Sequence, residues 1–171
     1  MADEEDCRRK EGRRRLLDLS NTGLTLLDPY SALIRHKMEA ASVRRLVLVD
    51  NELFDVPSTI AQFVNLEELD VSRNRISWLS GEIAHLSKLR ILIARNNNLR
   101  HLPKEFESLL SLHILNLSGN VYDDLPKELF GLRNLKELYF GGNNISTIPQ
   151  DIRRLQRYVV LIPPHAISPK C

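Results

Sequence analysis

Apolar residues recur along most of this chain in one fixed phrase. Between Val43 and Ile145, the pattern Leu-x-x-Leu-x-Leu-x-x-Asn-x-Leu occurs five times at intervals of 23 residues, with other apolar residues at some leucine positions. The asparagines that close the five copies are Asn51, Asn74, Asn97, Asn120 and Asn143. The alternation within each copy predicts a short strand with one buried face. A fixed period of this length predicts a solenoid whose stacked turns align these strands in one parallel sheet.

The asparagine of the phrase is a polar residue among apolar ones. Its side chain can both donate and accept hydrogen bonds. We therefore expect it to turn inward and satisfy backbone groups of its own bend and of the neighbouring turn. Replacing it with leucine should then leave buried polar groups unpaired, at roughly 1–3 kcal/mol each. A less regular first copy has Thr22 at this position, 29 residues before Asn51.

The second half of each turn has a Leu-Pro-x-x-Ile-x-x-Leu pattern. Its apolar spacing predicts one or two turns of α- or 3₁₀-helix. Proline suits the start of such a helix, because its φ is fixed and it lacks the N–H that would have no partner there. One copy has Leu79-Ser80 in place of Leu-Pro, and we interpret Ser80 as a helix cap. The residues with this proline are Pro57, Pro103, Pro126 and Pro149.

On these motifs the chain resembles the intracellular Ras-group leucine-rich repeats, over about residues 16–162. The resemblance implies the α/β class and a leucine-rich-repeat solenoid, or horseshoe. Such a horseshoe has a parallel inner sheet, with short helices or 3₁₀ turns on the convex side. Here it would contain about six repeats and a final strand. The resemblance also implies a cytosolic location and protein partners, and it transfers no catalytic residue because the family motif is structural.

The N-terminal part departs from the repeat pattern. Residues 1–15 contain an acidic run and then a basic run, and we expect a charged tail there. Alternatives for the basic run are a nuclear-import signal or attachment to an anionic surface. An insertion from Pro29 to Ala41 predicts an amphipathic helix that covers the open end of the core, as terminal repeats of solenoids require. The basic run consists of Arg8, Arg9, Lys10, Arg13, Arg14 and Arg15.

The C-terminal part predicts one last strand and then an unstructured tail over residues 163–171. We expect Tyr158 and Leu161 to align with Leu135 and Leu138. No polar capping helix follows in the sequence. This end is either a natural short end, the product of truncation, or an edge that a partner covers. An open strand edge pairs readily with another chain, so weak self-association is expected.

Composition excludes several classes of function. The net charge of +2 gives no general basic field, so it does not favour a nucleic-acid partner. The sequence has no apolar stretch long enough to cross a membrane and no apolar signal region near its start. Cys7 and Cys171 lie near the two ends, outside the repeats. Secreted leucine-rich repeats usually carry clustered cysteines in their caps, so the absence of such clusters favours a reducing compartment. We therefore expect a cytoplasmic location, with the nucleus as an alternative.

Candidate binding residues lie at the outward-facing strand positions, which should line up in columns on the concave face. Isoleucine has no folding reason to occupy such positions, yet three isoleucines and a tyrosine cluster there with polar residues at their margin. This is the usual anatomy of a protein interface. The predicted partner-binding residues are Ile91, Ile93, Ile114, Tyr139, Arg95, Arg73, Asp70, Glu68 and Asn116.

Other readings of these positions remain open. β-Branched residues favour strands whichever way they face. Gly119, Gly141 and Gly142 either let a partner approach closely or only ease the bend after the strand. Trp78 lies four residues after Asn74, at a position where the other turns have polar residues. It is either a second contact for a partner or a half-buried residue that packs within its own turn.

No catalytic, cofactor or metal site is predicted. The histidines fall on different repeats, and no Cys/His spacing suggests zinc. His113 is expected near Arg90 and Lys136, as surface residues without the arrangement of a catalytic base. We interpret the chain as a non-catalytic adaptor or regulator that binds an unidentified protein in signalling or complex assembly. The alternatives are a truncated or inert fragment of a longer leucine-rich-repeat protein, or anionic-surface attachment through the N-terminal basic run.

Overall fold

The described part of the computed structural model comprises residues 15–27 and 38–146, together with the backbone of residues 159–161. Its strands are β1 (Leu16–Asp18), β2 (Arg45–Val47), β3 (Asp55–Val56), β4 (Glu68–Asp70), β5 (Trp78–Leu79), β6 (Ile91–Ile93), β7 (Ile114–Asn116), β8 (Glu137–Tyr139) and β9 (Val159–Leu161). Seven of them form one parallel sheet on the concave side, in the order β1-β2-β4-β6-β7-β8-β9. The other two, β3 and β5, form a second parallel pair on the loops that leave this sheet. The predicted solenoid is thereby confirmed.

Short 3₁₀-helices close the turns on the convex side. Pro57, Pro103 and Pro126 each immediately precede a helix, with φ between −73° and −60°. Ser80 precedes another, and its hydroxyl oxygen accepts a hydrogen bond from the Glu82 N–H, which confirms the predicted cap. The described helices are Ala40–Ser42, Ser58–Gln62, Gly81–His85, Lys104–Ser108 and Lys127–Gly131.

Serine at position 80 also affects the loop strands. The Ser80 N–H donates to the Val56 carbonyl at 3.0 Å and so continues the β3–β5 pairing by one more bond. Proline has no N–H and cannot make this bond. The exception to the Leu-Pro pattern therefore adds a hydrogen bond between the turn of Asn51 and the turn of Asn74.

The core is one continuous apolar column between the sheet and the helices. Leucine, isoleucine and valine fill most of it, and its largest fully buried side chains are Tyr122, Phe63, Phe106 and Phe140. The rings of Tyr122 and Phe140 lie 5.0 Å apart between centroids and are tilted by 46°. Burying one such side chain contributes roughly 1.5–3 kcal/mol, so the column supplies most of the driving force for folding.

The asparagines form the predicted hydrogen-bond ladder beside this core. Asn74 Nδ2 donates to Leu48 O of the preceding turn and to Val71 O of its own turn, at 2.9 and 3.0 Å. Its Oδ1 accepts from the Leu53 N–H at 3.0 Å. Asn97 repeats the arrangement one turn later, with Nδ2 bonds to Val71 O and Ala94 O. Val71 O thus accepts from two asparagines, one of its own turn and one of the next.

A residue in the left-handed region makes the bend after each of six strands. Six equivalent positions have φ between +53° and +71°, and glycine occupies only two of them. This favours the reading in which Gly119 and Gly142 ease the bend. At Gly119 a Cβ would also lie 2.2 Å from Asn96 Oδ1, so a larger residue would displace that side chain. The six residues are Asn21, Asp50, Arg73, Asn96, Gly119 and Gly142.

The predicted register of the last strand is wrong by one residue. Leu138 pairs with Val160 and Tyr139 with Leu161, whereas Leu138 was expected beside Leu161. The run Tyr158 to Ile162 is apolar throughout, so no polar alternation specifies which residue faces the core. The backbone register therefore aligns Val159 and Leu161, and not Val160 and Ile162, with Glu137 and Tyr139.

Several predicted segments lie outside the described residues. They are the tail over residues 1–14, most of the insertion helix at 28–37, the final proline turn at 147–158 and the C-terminal tail beyond 161. At the end of the insertion, Met38 and Ala40 pack against the core, as a covering segment would require. Ala41, predicted to share the apolar face of that helix, is exposed.

Candidate functional site

The concave sheet aligns the candidate residues in two outward rows. Its register places Glu68, Ile91, Ile114 and Glu137 side by side in the first row. The same pairing aligns the residues of the second row: Asp70, Ile93, Asn116 and Tyr139. The columns predicted from the sequence are confirmed over these strands. All eight side chains are partly exposed, while the leucine between the two rows on each strand is buried.

Three isoleucines form the apolar centre of this face, here called the isoleucine patch (Ile91, Ile93 and Ile114). Ile91 lies directly beside Ile114 on the next strand, and Ile93 lies two residues further along β6. Tyr139 belongs to the same face, but Asn116 lies between it and Ile93. The Tyr139 hydroxyl donates to Glu137 Oε2 at 2.8 Å. This hydrogen bond raises the pKa of Tyr139, and desolvation and the carboxylate charge act in the same direction.

Intramolecular bonds engage most polar residues at the margin of the patch. Glu68 Oε2 accepts from Arg45 Nε at 2.7 Å. Asp70 Oδ1 accepts from the backbone N–H and the hydroxyl of Ser72, at 2.9 and 2.5 Å. Arg73 Nη1 lies 3.3 Å from Asp50 Oδ2, so the bend residues of these two successive turns form an ion pair.

Two other margin residues differ in what they contact. Asn116 Oδ1 accepts from the Ser118 N–H at 3.0 Å. Arg95 is exposed, and its guanidinium has no ion-pair partner within the described ranges. Most polar side chains at the margin of the patch therefore already have partners within the molecule, and the Arg95 guanidinium has no ion pair among the described residues.

A basic row lies where the strands begin, next to the isoleucine patch. The His113 N–H donates to Arg90 O at 2.8 Å and the Lys136 N–H donates to His113 O at 2.7 Å, which confirms that the three residues are neighbours. His113 Nδ1 lies 2.5 Å from Ser111 O. A carbonyl can only accept, so Nδ1 carries the hydrogen. The row borders a shallow depression of about 340 Å³ whose floor includes Ile91 and Ile114.

This depression was not predicted from the sequence, although its residues were placed near one another. The period shows that Arg90, His113 and Lys136 share a position. It does not show that the isoleucines beside them form the floor of a concavity. That depends on the curvature of the sheet and on how the flanking side chains fold over it.

The loop side of the first turns also exposes large apolar residues. Trp78 pairs with Asp55 through the backbone, and its side chain is 51% exposed. Phe54 and Leu26, on the loops of the two preceding turns, are 55% and 63% exposed. The sequence prediction singled out Trp78 and missed the other two. The signal for Phe54 was present, because it directly follows the buried residue that closes its Asn-x-Leu phrase.

Among residues 15–27 and 38–146, no group of three His, Cys, Asp or Glu side chains is placed to hold a metal ion. No helix in those two ranges is long and apolar enough to span a bilayer. His85 contacts Glu82 at 2.7 Å on an exposed helix, and His101 is exposed on a loop of the next turn. His36 and His165 lie outside the described residues.

The sequence matches family models of a repeat over more than half of its length. A model described as leucine rich repeat matches residues 41–99 and 65–121, and a second model with the same description matches residues 134–155. No curated protein matches the chain.

Similar folds occur among solved structures. A leucine-rich-repeat protein of Leptospira interrogans is 35% identical, with a TM-score of 0.76 over 84% of this chain and 35% of its own. The ectodomain of the Arabidopsis thaliana receptor kinase GASSHO1/SCHENGEN3, in complex with CASPARIAN STRIP INTEGRITY FACTOR 2, is 27% identical. Its TM-score is 0.61 over 71% of this chain and 15% of its own. The chain therefore spans only about a third of the first protein and less of the second.

Proposed function

Because the chain belongs to the leucine-rich-repeat family, we propose that it is a non-catalytic protein-binding module whose partner lies on the concave sheet. Leucine-rich-repeat solenoids generally present such extended concave surfaces to protein partners. The similar plant receptor ectodomain is seen in complex with a second molecule. In this proposal the chain acts as an adaptor or regulator in intracellular signalling or complex assembly, as its resemblance to the Ras-group repeats suggests.

The isoleucine patch is the observation that carries this proposal. The outward positions of β6 and β7 hold Ile91, Ile93 and Ile114, next to a buried leucine that already fills the core. Strand propensity would favour isoleucine at these positions on every strand. Yet β4 has Glu68 and Asp70 at the equivalent positions. The apolar residues are therefore local, as expected for the centre of an interface.

The rigidity of the surface supports the same function. Each strand of the patch is fixed on both sides by parallel pairing, and its turn is fixed by an asparagine of the ladder. A surface that is already ordered loses little conformational freedom when a partner binds, and this favours affinity. The partner-binding residues in this proposal are those predicted from the sequence, with the isoleucine patch at their centre.

Affinity purification with quantitative mass spectrometry tests the proposal. The parent chain is compared with the double variant Ile93→Lys, Ile114→Lys after circular dichroism has shown that both are folded. A matched control is Val64→Lys, Leu110→Lys, which makes the same kind of change at exposed positions just after two of the 3₁₀-helices. We expect partners to be lost from the patch variant and retained by the control. Partners that bind both variants equally would exclude the concave sheet as the binding surface.

A further inference from the structure

The row of basic residues at the start of the strands defines the chemistry of the partner more narrowly. We infer that the partner segment on the isoleucine patch carries a carboxylate beside an aliphatic side chain, and that this carboxylate lies between Arg90 and Lys136. This inference rests on the proposed function and adds the class of peptide that it recognises. It follows from the pairing of charges along this edge, from the spacing of the two cations and from the apolar floor beside them.

Along the residues at which the strands of the concave sheet begin, some charged side chains have an ion-pair partner and others have none. The acidic residues at its first turns already have cationic partners, because Glu67 is bound by Arg44 and Glu68 by Arg45. Arg90 and Lys136 are exposed and form no ion pair with any residue that the structure describes. The middle of the edge is therefore positive, although the chain as a whole carries only +2.

The geometry brings these two cations to one place. Arg90 and Lys136 lie on turns separated by the turn of His113, and each is joined to His113 by a backbone hydrogen bond. Neighbouring strands lie about 4.8 Å apart, which puts the two backbones about 10 Å apart. Both side chains are long and flexible enough to meet at one carboxylate above His113.

An aliphatic group fits next to that carboxylate. The depression of about 340 Å³ is lined by Arg90 and Lys136 and has Ile91 and Ile114 in its floor. This volume is at the lower end of the range for binding pockets, so it suits one or two side chains of an extended segment. Three acids also line it, namely Glu67, Glu68 and Glu137. Arg44 and Arg45 bind the first two, and the Glu137 carboxylate accepts the hydrogen bond of Tyr139.

Charge complementarity selects an acidic segment over a basic one. A lysine or arginine in the depression would be a like charge beside Arg90 and Lys136, and like charges at an interface suppress the wrong partner. An entirely apolar segment would bury both cations without a partner, and burying an unpaired charge costs free energy. An acidic residue beside an aliphatic one avoids both penalties.

Peptide selection on the intact chain tests the inference. Random displayed peptides that can bind in an extended form are selected on the immobilised parent chain. The enriched peptides are labelled and titrated by fluorescence anisotropy. The test variant is Arg90→Glu, Lys136→Glu, and its matched control is Lys104→Glu, Arg133→Glu, which changes the net charge equally at exposed sites off the concave face. Circular dichroism first establishes that all variants are folded.

We expect enriched peptides with Asp or Glu beside Leu, Ile or Val. Their affinity should fall about tenfold or more in the test variant and change less than about twofold in the control. Exchanging the peptide's acid for lysine should restore part of the affinity for the test variant. The inference is overturned if the peptides show no acidic preference, or bind the test variant as they bind the parent, while Ile93→Lys, Ile114→Lys still abolishes binding. Peptides that bind regardless of the isoleucine patch, or no enrichment at all, would overturn the proposed function as well.

Discussion

Replacing Asn97 with leucine tests the asparagine ladder at its centre. Asn97 is only 5% exposed. Its Oδ1 accepts from the Ile76 N–H at 3.0 Å, and its Nδ2 donates to Val71 O and Ala94 O at 3.0 and 3.3 Å. Nδ2 also contacts Arg95 O at 3.3 Å, and that carbonyl keeps a bond from the Arg73 N–H. Leucine is of similar size but can make none of these bonds.

The cost follows from which backbone groups lose their last partner. Val71 O keeps the bond from Asn74, and Ala94 O keeps the bond from Asn120. Only the Ile76 N–H loses the partner that the structure gives it, at about 1–3 kcal/mol for a buried unsatisfied donor. Each of the two lost bonds to Val71 O and Ala94 O adds about 0.5–1.5 kcal/mol. We expect the free energy of unfolding to fall by about 3 kcal/mol.

Urea unfolding, followed by far-ultraviolet circular dichroism and by the fluorescence of the single tryptophan, measures this change. With an m-value of about 2 kcal/mol per molar urea, the midpoint should fall by about 1.5 M. Asn98→Leu is the matched control. Asn98 is exposed, and its side chain makes one long bond of 3.4 Å to Arg75 O among the described residues. Its variant should therefore stay within about 0.5 kcal/mol of the parent.

Equal midpoints for the Asn97 and Asn98 variants would refute this account of the ladder. In that case the inward asparagine would contribute no more to stability than an exposed one. A variant that unfolds at lower urea by one probe only would instead show that the turns do not unfold together. The two probes are therefore recorded on the same samples.

Three further predictions follow from single positions. In urea titrations, Gly119→Ala should lower the free energy of unfolding by about 1–2 kcal/mol more than Gly23→Ala does. Both glycines have φ near +70°, but of the two only Gly119 has a neighbouring side chain where the new Cβ would lie. Burial raises the pKa of Tyr122 above its ordinary value of 10, so stability is fully present below pH 10 and is lost as the pH rises above it. Urea midpoints at pH 8 and pH 11 should therefore differ less for Tyr122→Phe than for the parent. Ser80→Ala should lower the stability measured by thermal unfolding by about 0.5–1 kcal/mol, because the Glu82 N–H loses its hydrogen bond to the Ser80 hydroxyl. Ser80→Thr should retain most of this stability, because threonine keeps the hydroxyl.

The period of the sequence predicted most of the fold, because each turn repeats the same physical requirements. It placed the outward columns from β1 to β8, the inward asparagines and the cap at Ser80. It failed for β9, where an unbroken apolar run from Tyr158 to Ile162 leaves the register unspecified. It also gave no sign of the β3–β5 pairing, which depends on an N–H at a position where other turns have proline.

The candidate site was predictable in position and not in charge. The columns showed that isoleucines cluster on the concave face and that Arg90, His113 and Lys136 are neighbours. Which charges remain unpaired depends on side-chain contacts between turns. The pairing of Glu67 with Arg44 is one such contact, and it leaves Arg90 without its nearest acid. The sequence alone does not show whether Glu67 forms its ion pair with Arg44 or with Arg90.

The sharing of each ladder carbonyl between two asparagines constrains how chains of this kind can change in length. Val71 O and Ala94 O each join one turn to the next, so a whole turn can be inserted or removed with every interior bond re-formed. Any other change of length has to lie away from the ladder. The first turn is an example, since Thr22 and Asn51 are 29 residues apart and the Thr22 N–H still donates to Asn51 Oδ1 at 3.0 Å. Duplication of complete turns and insertions away from the ladder are therefore the two routes by which such a chain can lengthen while its concave sheet stays in register.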